Sequence, residues 1–127
     1  MCILGSAPIH HIAIIASDYQ RTKDFYVNRL GFRVIRENKR AEDIKIDLKS
    51  NQMEIEIFIK ENQPKRPSYP EAYGLRHLAF KVANIEETVF ELSQKGIVCE
   101  AIRMDAFTGS KMTFFFDPDG LPLELHE

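Results

Sequence analysis

Two histidines and two glutamates recur at matching places in the two halves of this 127-residue chain. His11 precedes Glu56 by 45 residues, and His77 precedes Glu124 by 47 residues. Two imidazoles and two carboxylates form a ligand set for one divalent transition-metal ion. A solitary histidine or glutamate on a strand is more often solvated, so the prediction depends on the repetition. We therefore expect one metal site built from two half-sites.

The elements that must position these side chains also occur twice. Hydrophobic alternation predicts four strands in the first half: 9–16, 32–38, 44–48 and 53–59. It predicts four in the second half: 75–82, 97–102, 112–116 and 121–126. A helix over 19–30 begins at Ser17 or Asp18 and ends at Gly31, and a second helix begins at Asn84 and ends at Gly96.

The resulting order of elements predicts an α+β fold made of two βαβββ modules. The first module covers residues 8–59 and the second covers 75–127, and together they form one domain. Residues 60–74 contain three prolines, which stiffen and extend a chain, so this segment is predicted to be a linker. Such a linker allows the modules to pair within one chain or to swap between two chains.

The strand faces separate the candidate ligands from the hydrophobic residues. In the last strand of each module, aliphatic residues share one face, and Glu56 or Glu124 lies on the other. His11 and His77 likewise lie opposite the apolar residues of their strands. If the apolar faces pack beneath the helices, the candidate ligands line a concave side of the sheet. Nearby acidic and imidazole side chains are interpreted as solvated: Glu54, His10 and His126.

Composition narrows the class of function. Seventeen basic and 19 acidic residues nearly balance, which argues against a nucleic-acid partner. No apolar run approaches the roughly 20 residues that span a bilayer, so no membrane association is expected. Cys2 and Cys99 lie far apart and are interpreted as free thiols in a reducing cytoplasm. The N-terminal segment is weakly basic and is followed at once by a predicted strand, which is not typical of a signal peptide.

Several motifs resemble glyoxalase I and, more broadly, the vicinal-oxygen-chelate superfamily, which includes bleomycin resistance proteins and dioxygenases. The resemblance covers nearly the whole chain after Pro8 and rests on three strings: HHIAI at 10–14, FY to LGF at 25–32, and DPDG to LEL at 117–125. It implies paired βαβββ modules that form an open, mixed, barrel-like sheet with helices on the outside. It also implies a homodimer, with metal sites at the interface that draw ligands from both subunits.

By position, the resemblance implies four metal ligands: His11, Glu56, His77 and Glu124. The ligand set falls on His11 rather than His10, and on Glu56 rather than Glu54. Extradiol dioxygenases and fosfomycin-modifying members use three ligands, so a fourth ligand favours isomerase chemistry. The ion is one divalent metal per site, and its identity stays open among Ni, Zn, Co, Fe and Mn.

The implied activity is that of a lactoylglutathione lyase-like metalloenzyme. Its small-molecule substrate is a hemithioacetal of a 2-oxoaldehyde and a thiol, isomerised through an enediolate. Glu124 or Glu56 is the implied general base, with Glu124 preferred. Glutathione-using relatives carry an arginine and an asparagine where this chain has Ile15 and Lys60, so the thiol stays open. The alternatives are a thiol transferase, a dioxygenase, or a non-catalytic binder of a small molecule or metal.

Two further groups of side chains are candidates for substrate contact. Three basic residues are able to hold an anionic group, although each is more often a surface charge: Arg76, Arg103 and Lys111. Three aromatic residues are able to exclude water from a site: Phe58, Phe114 and Phe116. The last two are interpreted as core residues.

Overall fold

The structure is a computed structural model that describes residues 3–67 and 71–127. Its described residues divide into two compact units, the first ending at Gln63 and the second beginning at Pro64. Each unit contains a strand, a helix and three further strands, which confirms the α+β prediction of two βαβββ modules. Across the described ranges, no helix has the length and hydrophobicity that a bilayer crossing requires. Cys2, interpreted as a free thiol, and Pro70, one of the three prolines of the predicted linker, lie outside the described residues.

The first unit contains four strands: β1 (His11–Ala16), β2 (Arg33–Lys39), β3 (Ile44–Ser50) and β4 (Met53–Ile59). They form a mixed sheet in the order β1-β4-β3-β2. β1 runs parallel to β4, and the other pairs are antiparallel. Asn51 has a φ of 51° in the turn between β3 and β4, a conformation that asparagine tolerates better than most residues. β1 therefore lies at one edge of the sheet, beside the strand that carries Glu56.

The first helix begins where the sequence places it and changes pitch halfway. Helix α1 (Tyr19–Lys23) is capped by Asp18, whose carboxylate accepts a hydrogen bond from the Arg21 backbone N–H at 2.8 Å. A π-helical segment, Asp24–Arg29, continues it and ends before Gly31, whose φ is 83°. The predicted single α-helix over 19–30 is therefore only half α-helical. Its buried side carries three residues: Thr22, Phe25 and Tyr26.

The second unit repeats this topology with five elements: β5 (Leu78–Lys81), α2 (Ile85–Gln94), β6 (Arg103–Met104), β7 (Lys111–Phe116) and β8 (Pro122–His126). Its strands lie in the order β5-β8-β7-β6. β5 is parallel to β8, as β1 is to β4. The Asn84 side chain accepts a hydrogen bond from the Glu87 backbone N–H at 3.0 Å, which confirms the predicted helix start.

Two strand predictions in the second unit are wrong in extent. The segment 97–102 is not a strand. The Glu100 backbone N–H donates to the Phe114 carbonyl at 2.8 Å, and the Glu100 carbonyl accepts a hydrogen bond from the Thr113 hydroxyl at 2.7 Å. The short β6 follows it instead. The predicted strand 75–82 begins only at Leu78, since the Arg66 side chain donates to the carbonyls of Leu75 and Arg76. In both places, a side chain satisfies a backbone group that a strand would have used.

Each sheet buries its aliphatic face and leaves its other face to polar or aromatic residues. The largest fully buried strand residues are Ile46, Leu48, Ile55, Ile57, Phe115 and Leu123. This confirms the alternation predicted for the last strand of each module. Phe114 is buried, as interpreted, but Phe116 is 48% exposed and is not a core residue.

Candidate metal centre

The first half-site lies across the parallel pair of β1 and β4. Ala13 and Glu56 are Cα partners in this ladder, and His11 lies two residues before Ala13 on the same face. The small alanine side chain leaves space above the ladder for the imidazole and the carboxylate to meet. His11 Nδ1 lies 3.6 Å from Glu56 Oε2. The Glu56 side chain is 13% exposed, so it is accessible without being fully solvated.

The second half-site repeats this arrangement across β5 and β8. Ala79 and Glu124 are Cα partners, and His77 precedes Ala79 by two residues. His77 Nε2 lies 3.1 Å from Glu124 Oε1, and the Glu124 side chain is 8% exposed. Phe114 contacts the imidazole edge-on, with ring centroids 5.1 Å apart. The two pairs thus share strand register and differ in which imidazole nitrogen faces the carboxylate.

In each pair, the distance between the imidazole nitrogen and the carboxylate oxygen fits two ligands of one ion. Two ligand atoms each about 2.1 Å from a metal lie roughly 3.0–3.4 Å apart at tetrahedral or octahedral angles. The observed 3.1 and 3.6 Å are close to that range. Within residues 3–67 and 71–127, no three His, Cys, Asp or Glu side chains form a group able to hold an ion. The structure therefore brings the predicted ligands together as two pairs, and one ion shared by both pairs stays a prediction.

A charged network surrounds the first half-site. Asp47 is the antiparallel Cα partner of Glu56 and is 1% exposed. Lys45 Nζ lies 3.2 Å from Asp47 Oδ1 and 3.4 Å from Glu56 Oε1, and it donates a hydrogen bond to Asp47 Oδ2 at 3.4 Å. Burial lowers the pKa of Lys45, but Asp47 and then Glu56 outweigh burial and raise that pKa above its usual value. Lys45 is therefore a cation that bridges a buried carboxylate and a candidate ligand.

Arg36 completes this network from β2. Its Nε donates to Asp47 Oδ2 at 2.8 Å, and its Nη2 donates to Glu54 Oε1 at 2.6 Å. Glu54 is thus an ion-paired residue rather than merely a solvated one. Lys45 and Asp47 were not predicted from the sequence to be neighbours of the site. The signal available was their alternation in β3, which puts both on the face that Glu56 occupies.

Aromatic residues take the corresponding place in the second half-site. The antiparallel Cα partner of Glu124 is Phe114, where Glu56 has Asp47. The duplicated ligands therefore have different surroundings. A carboxylate near an aromatic face is screened less by water than one inside a charged network, so interactions made by Glu124 act at lower local dielectric.

The remaining histidines have contacts that the sequence did not reveal. His10 Nδ1 lies 2.9 Å from His11 Nδ1, so one of the two nitrogens donates to the other. His10 therefore constrains the ring of a candidate ligand, although it is exposed as predicted. His126 Nε2 lies 3.8 Å from Asp105 Oδ2 and belongs to a separate pair.

Lys60, which stands where glutathione-using relatives carry an asparagine, belongs to a cluster of ion pairs. Its Nζ lies 3.2 Å from Asp43 Oδ2. Arg40 donates two hydrogen bonds to the same carboxylate, at 2.6 and 2.7 Å, and holds the pKa of Asp43 at about 2. The Asp43 side chain is fully buried. Lys60 therefore completes a structural cluster, while Ile15 is exposed on β1.

The three basic candidates divide into two groups. Lys111 forms an exposed ion pair with Glu86 on α2, which agrees with its interpretation as a surface charge. Arg76 and Arg103 both line a cavity in the second unit. Arg76 Nη1 also lies 3.4 Å from His77 Nδ1, the imidazole nitrogen turned away from Glu124.

Comparison with known proteins shows the family to which the chain belongs. The chain is similar to the uncharacterized protein YwkD of Bacillus subtilis (strain 168), at 55% identity over 94% of this chain and 95% of that protein. It is 50% identical to the uncharacterized protein YaeR of Escherichia coli (strain K12), over 98% of this chain and 99% of that protein. The crystal structure of a glyoxalase family protein from Enterococcus faecalis superposes with a TM-score of 0.93 at 64% identity, covering 96% of this chain and 98% of that one.

A family model matches residues 8–125, which include both His–Glu pairs and all of the strands except the last residue of β8, His126. That span agrees with the motifs from which the resemblance was drawn. The chain belongs to the Glyoxalase/Bleomycin resistance protein/Dioxygenase superfamily.

Proposed function

We propose that this protein is a metal-dependent isomerase of the glyoxalase I type, acting on a hemithioacetal of a 2-oxoaldehyde and a thiol. The observation that carries the proposal is the repeated register, with Ala13 opposite Glu56 and Ala79 opposite Glu124. Superfamily members with three ligands perform other reactions, so two complete His–Glu pairs favour the isomerase. The free thiol of Cys99 is compatible with a cytoplasmic setting.

The metal in this proposal is one divalent ion chosen among Ni, Zn, Co, Fe and Mn. Four side chains would hold it: His11, Glu56, His77 and Glu124. When bound, such an ion supplies Lewis-acid polarisation of two vicinal substrate oxygens and acidifies the C–H bond between them. Two carboxylates offset the charge of the divalent ion, and the imidazoles complete a donor set that these metals accept.

Glu124 is the proposed general base. Its carboxylate accepts the proton from the substrate C–H and returns it to the neighbouring carbon, so the reaction is a balanced isomerisation. Glu124 lies opposite Phe114, whereas the Glu56 carboxylate is ion-paired with the Lys45 ammonium at 3.4 Å. Phe114 helps to exclude water, so that the transferred proton stays with the substrate.

The active assembly is proposed to be a homodimer in which each metal site takes one pair from each chain. Each compact unit carries a single His–Glu pair, which is half of the required donor set. Mixing His11→Ala and His77→Ala chains tests this arrangement. A shared site leaves one intact site in each heterodimer, so random re-association recovers about a quarter of the wild-type activity. Heterodimers that form without recovering activity would contradict shared sites.

The activity itself is tested by screening methylglyoxal with several thiols after loading the protein with each candidate metal. We expect isomerase turnover that is lost on chelation and restored by the ion. Glu124→Gln should lower turnover by at least about 100-fold while the dimer stays folded, since proton transfer loses its base. Glu91→Gln, on the exposed side of α2, is the matched control. Unchanged turnover in Glu124→Gln would remove Glu124 from the mechanism.

The expected thiol cosubstrate follows from Ile15 and Lys60, which replace the arginine and the asparagine of glutathione-using relatives. Lys60 is paired with Asp43, and Ile15 is exposed, so neither supplies the contact expected for a glutathione peptide. We therefore expect glutathione to be no better than smaller thiols. Failure with every thiol and every metal would leave the family membership intact and reject the isomerase.

A further inference from the structure

A cavity of about 350 Å³ lies within the second unit, on the same face of the sheet as Glu124. Phe114, Phe116 and Pro122 line it from the strands. Phe114 is the Cα partner of Glu124, and Phe116 is the Cα partner of Pro122, so this wall adjoins the second half-site. Its volume is that of a pocket for a small organic molecule. Phe116 was predicted to be a core residue, but it is exposed because it lines this cavity.

Positive charge is in excess around this cavity. Its lining contains the guanidinium groups of Arg66, Arg76 and Arg103, against the carboxylates of Glu71 and Glu100. A guanidinium presents a planar fork of donors that matches a carboxylate. Arg66 donates to the backbone carbonyl of Arg76 at 2.9 Å, which helps to fix the segment from which Arg76 projects.

The contacts of the two glutamates show that these arginines bind carboxylates. Arg76 Nη2 lies 3.1 Å from Glu71 Oε1, and Arg103 Nη1 lies 3.3 Å from Glu100 Oε1. All four side chains are about half exposed, and ion pairs this exposed contribute little to stability. A carboxylate brought in by a ligand therefore replaces either glutamate at small cost.

Arg103 has a second support that does not depend on Glu100. Its guanidinium lies over the ring of Phe114, with Cζ 5.4 Å from the ring centroid. Phe114 is itself buried and packs against His77. Exchange of Glu100 for a ligand carboxylate thus leaves Arg103 oriented beside the second half-site.

We propose that this cavity binds a carboxylate group of the substrate through Arg103 and Arg76, with the apolar part of the substrate packed on Phe114 and Phe116. The cavity then selects anionic substrates of small size over neutral ones. This assignment rests on the proposed function only in placing the substrate beside His77 and Glu124. The arginine–carboxylate contact itself does not require turnover.

The test compares 3-phenylpropanoate with its neutral isostere 3-phenylpropanamide by calorimetric titration of the full chain. We expect the carboxylate to bind at least about tenfold more tightly, the gain typical of charge-assisted hydrogen bonds. Arg103→Gln should abolish this preference, and Arg103→Lys should retain part of it, because charge is kept and the fork is lost. Arg33→Gln, an exposed position in the first unit, should leave it unchanged.

The titrations are run both with bound metal and after chelation, which separates this proposal from the isomerase. A preference that survives chelation and disappears in Arg103→Gln supports the arginine site, whether or not any thiol gives turnover. Equal affinity for 3-phenylpropanoate and 3-phenylpropanamide would overturn the arginine site. A preference for the acid that is lost on chelation but kept in Arg103→Gln would also overturn it. Arg76→Gln provides a second variant, and a preference undiminished in both arginine variants would equally reject the site.

Discussion

Replacing Lys45 with methionine should destabilise the metal-free protein and strengthen its binding of a divalent ion. The Lys45 ammonium lies between two carboxylates, 3.2 Å from Asp47 Oδ1 and 3.4 Å from Glu56 Oε1. Methionine keeps most of the length of the side chain, being one heavy atom shorter, and removes the charge. Asp47 then keeps its ion pair with Arg36, and Glu56 keeps its neighbour His11, whose Nδ1 lies 3.6 Å from Glu56 Oε2.

The size of the effect follows from these distances. Two unit charges 3.4 Å apart attract by roughly 1 kcal/mol in water and about 5 kcal/mol at an effective dielectric constant near 20. The Lys45 side chain is 23% exposed, so screening and desolvation remove much of the larger value. We expect the free energy of unfolding to fall by about 1–2 kcal/mol without metal. Loss of the ammonium's repulsion should lower the Kd for a divalent ion by about 5- to 30-fold.

Urea unfolding in the presence of a chelator measures the first effect, and competition against a metallochromic dye measures the second. Lys39→Met, at the exposed end of β2, is the control and should change neither quantity. An unchanged or weaker metal affinity in Lys45→Met would refute the placement of an ion beside Glu56. A metal affinity that rises equally in both variants would indicate a general charge effect instead.

Two further predictions concern stability. Arg40 holds the pKa of Asp43 at about 2, below its usual 3.8, so this contribution is complete above pH 3.8 and is lost as the pH falls toward 2. Asp43→Asn should therefore flatten the fall in unfolding free energy across that window, and an unaltered pH profile would contradict the cluster. The Thr22 hydroxyl is buried with no hydrogen-bond partner among the described residues, so Thr22→Val should raise the unfolding free energy by about 0.5–1 kcal/mol. Destabilisation on urea unfolding would show that this hydroxyl has a partner.

Local chemistry and the repeat allowed much of the fold to be predicted. Asp18 and Asn84 cap the helices as their side chains allow, and Gly31 ends the first helix with a positive φ. Strict alternation in β4 separated Glu56 from the isoleucines, because a strand has only two faces. The repeat aligned the two His–Glu pairs, and their strand registers match.

The remaining features depend on contacts between residues distant in sequence. The segment 97–102 is rich in strand-forming residues but is not a strand. Its Glu100 bonds β7 through both the Phe114 carbonyl and the Thr113 hydroxyl, and no local signal reports this mixed pairing. Phe116 alternates like a core residue, yet it lines a cavity. The alternation of β3 predicts that Lys45 lies on the same face as the candidate ligands. Its contacts with both Asp47 and Glu56, however, depend on the pairing of β3 with β4.

Metal content of the purified protein is the most direct test of the central claim, that two His–Glu pairs together hold one ion. Elemental analysis and native mass spectrometry should find about one divalent ion per chain in the wild type. Single alanine replacements of His11, Glu56, His77 and Glu124 should each lower that occupancy while the chain stays folded, because every ligand contributes to the same ion. A wild-type protein that takes up no ion after loading, or four variants that all retain it, would contradict the account.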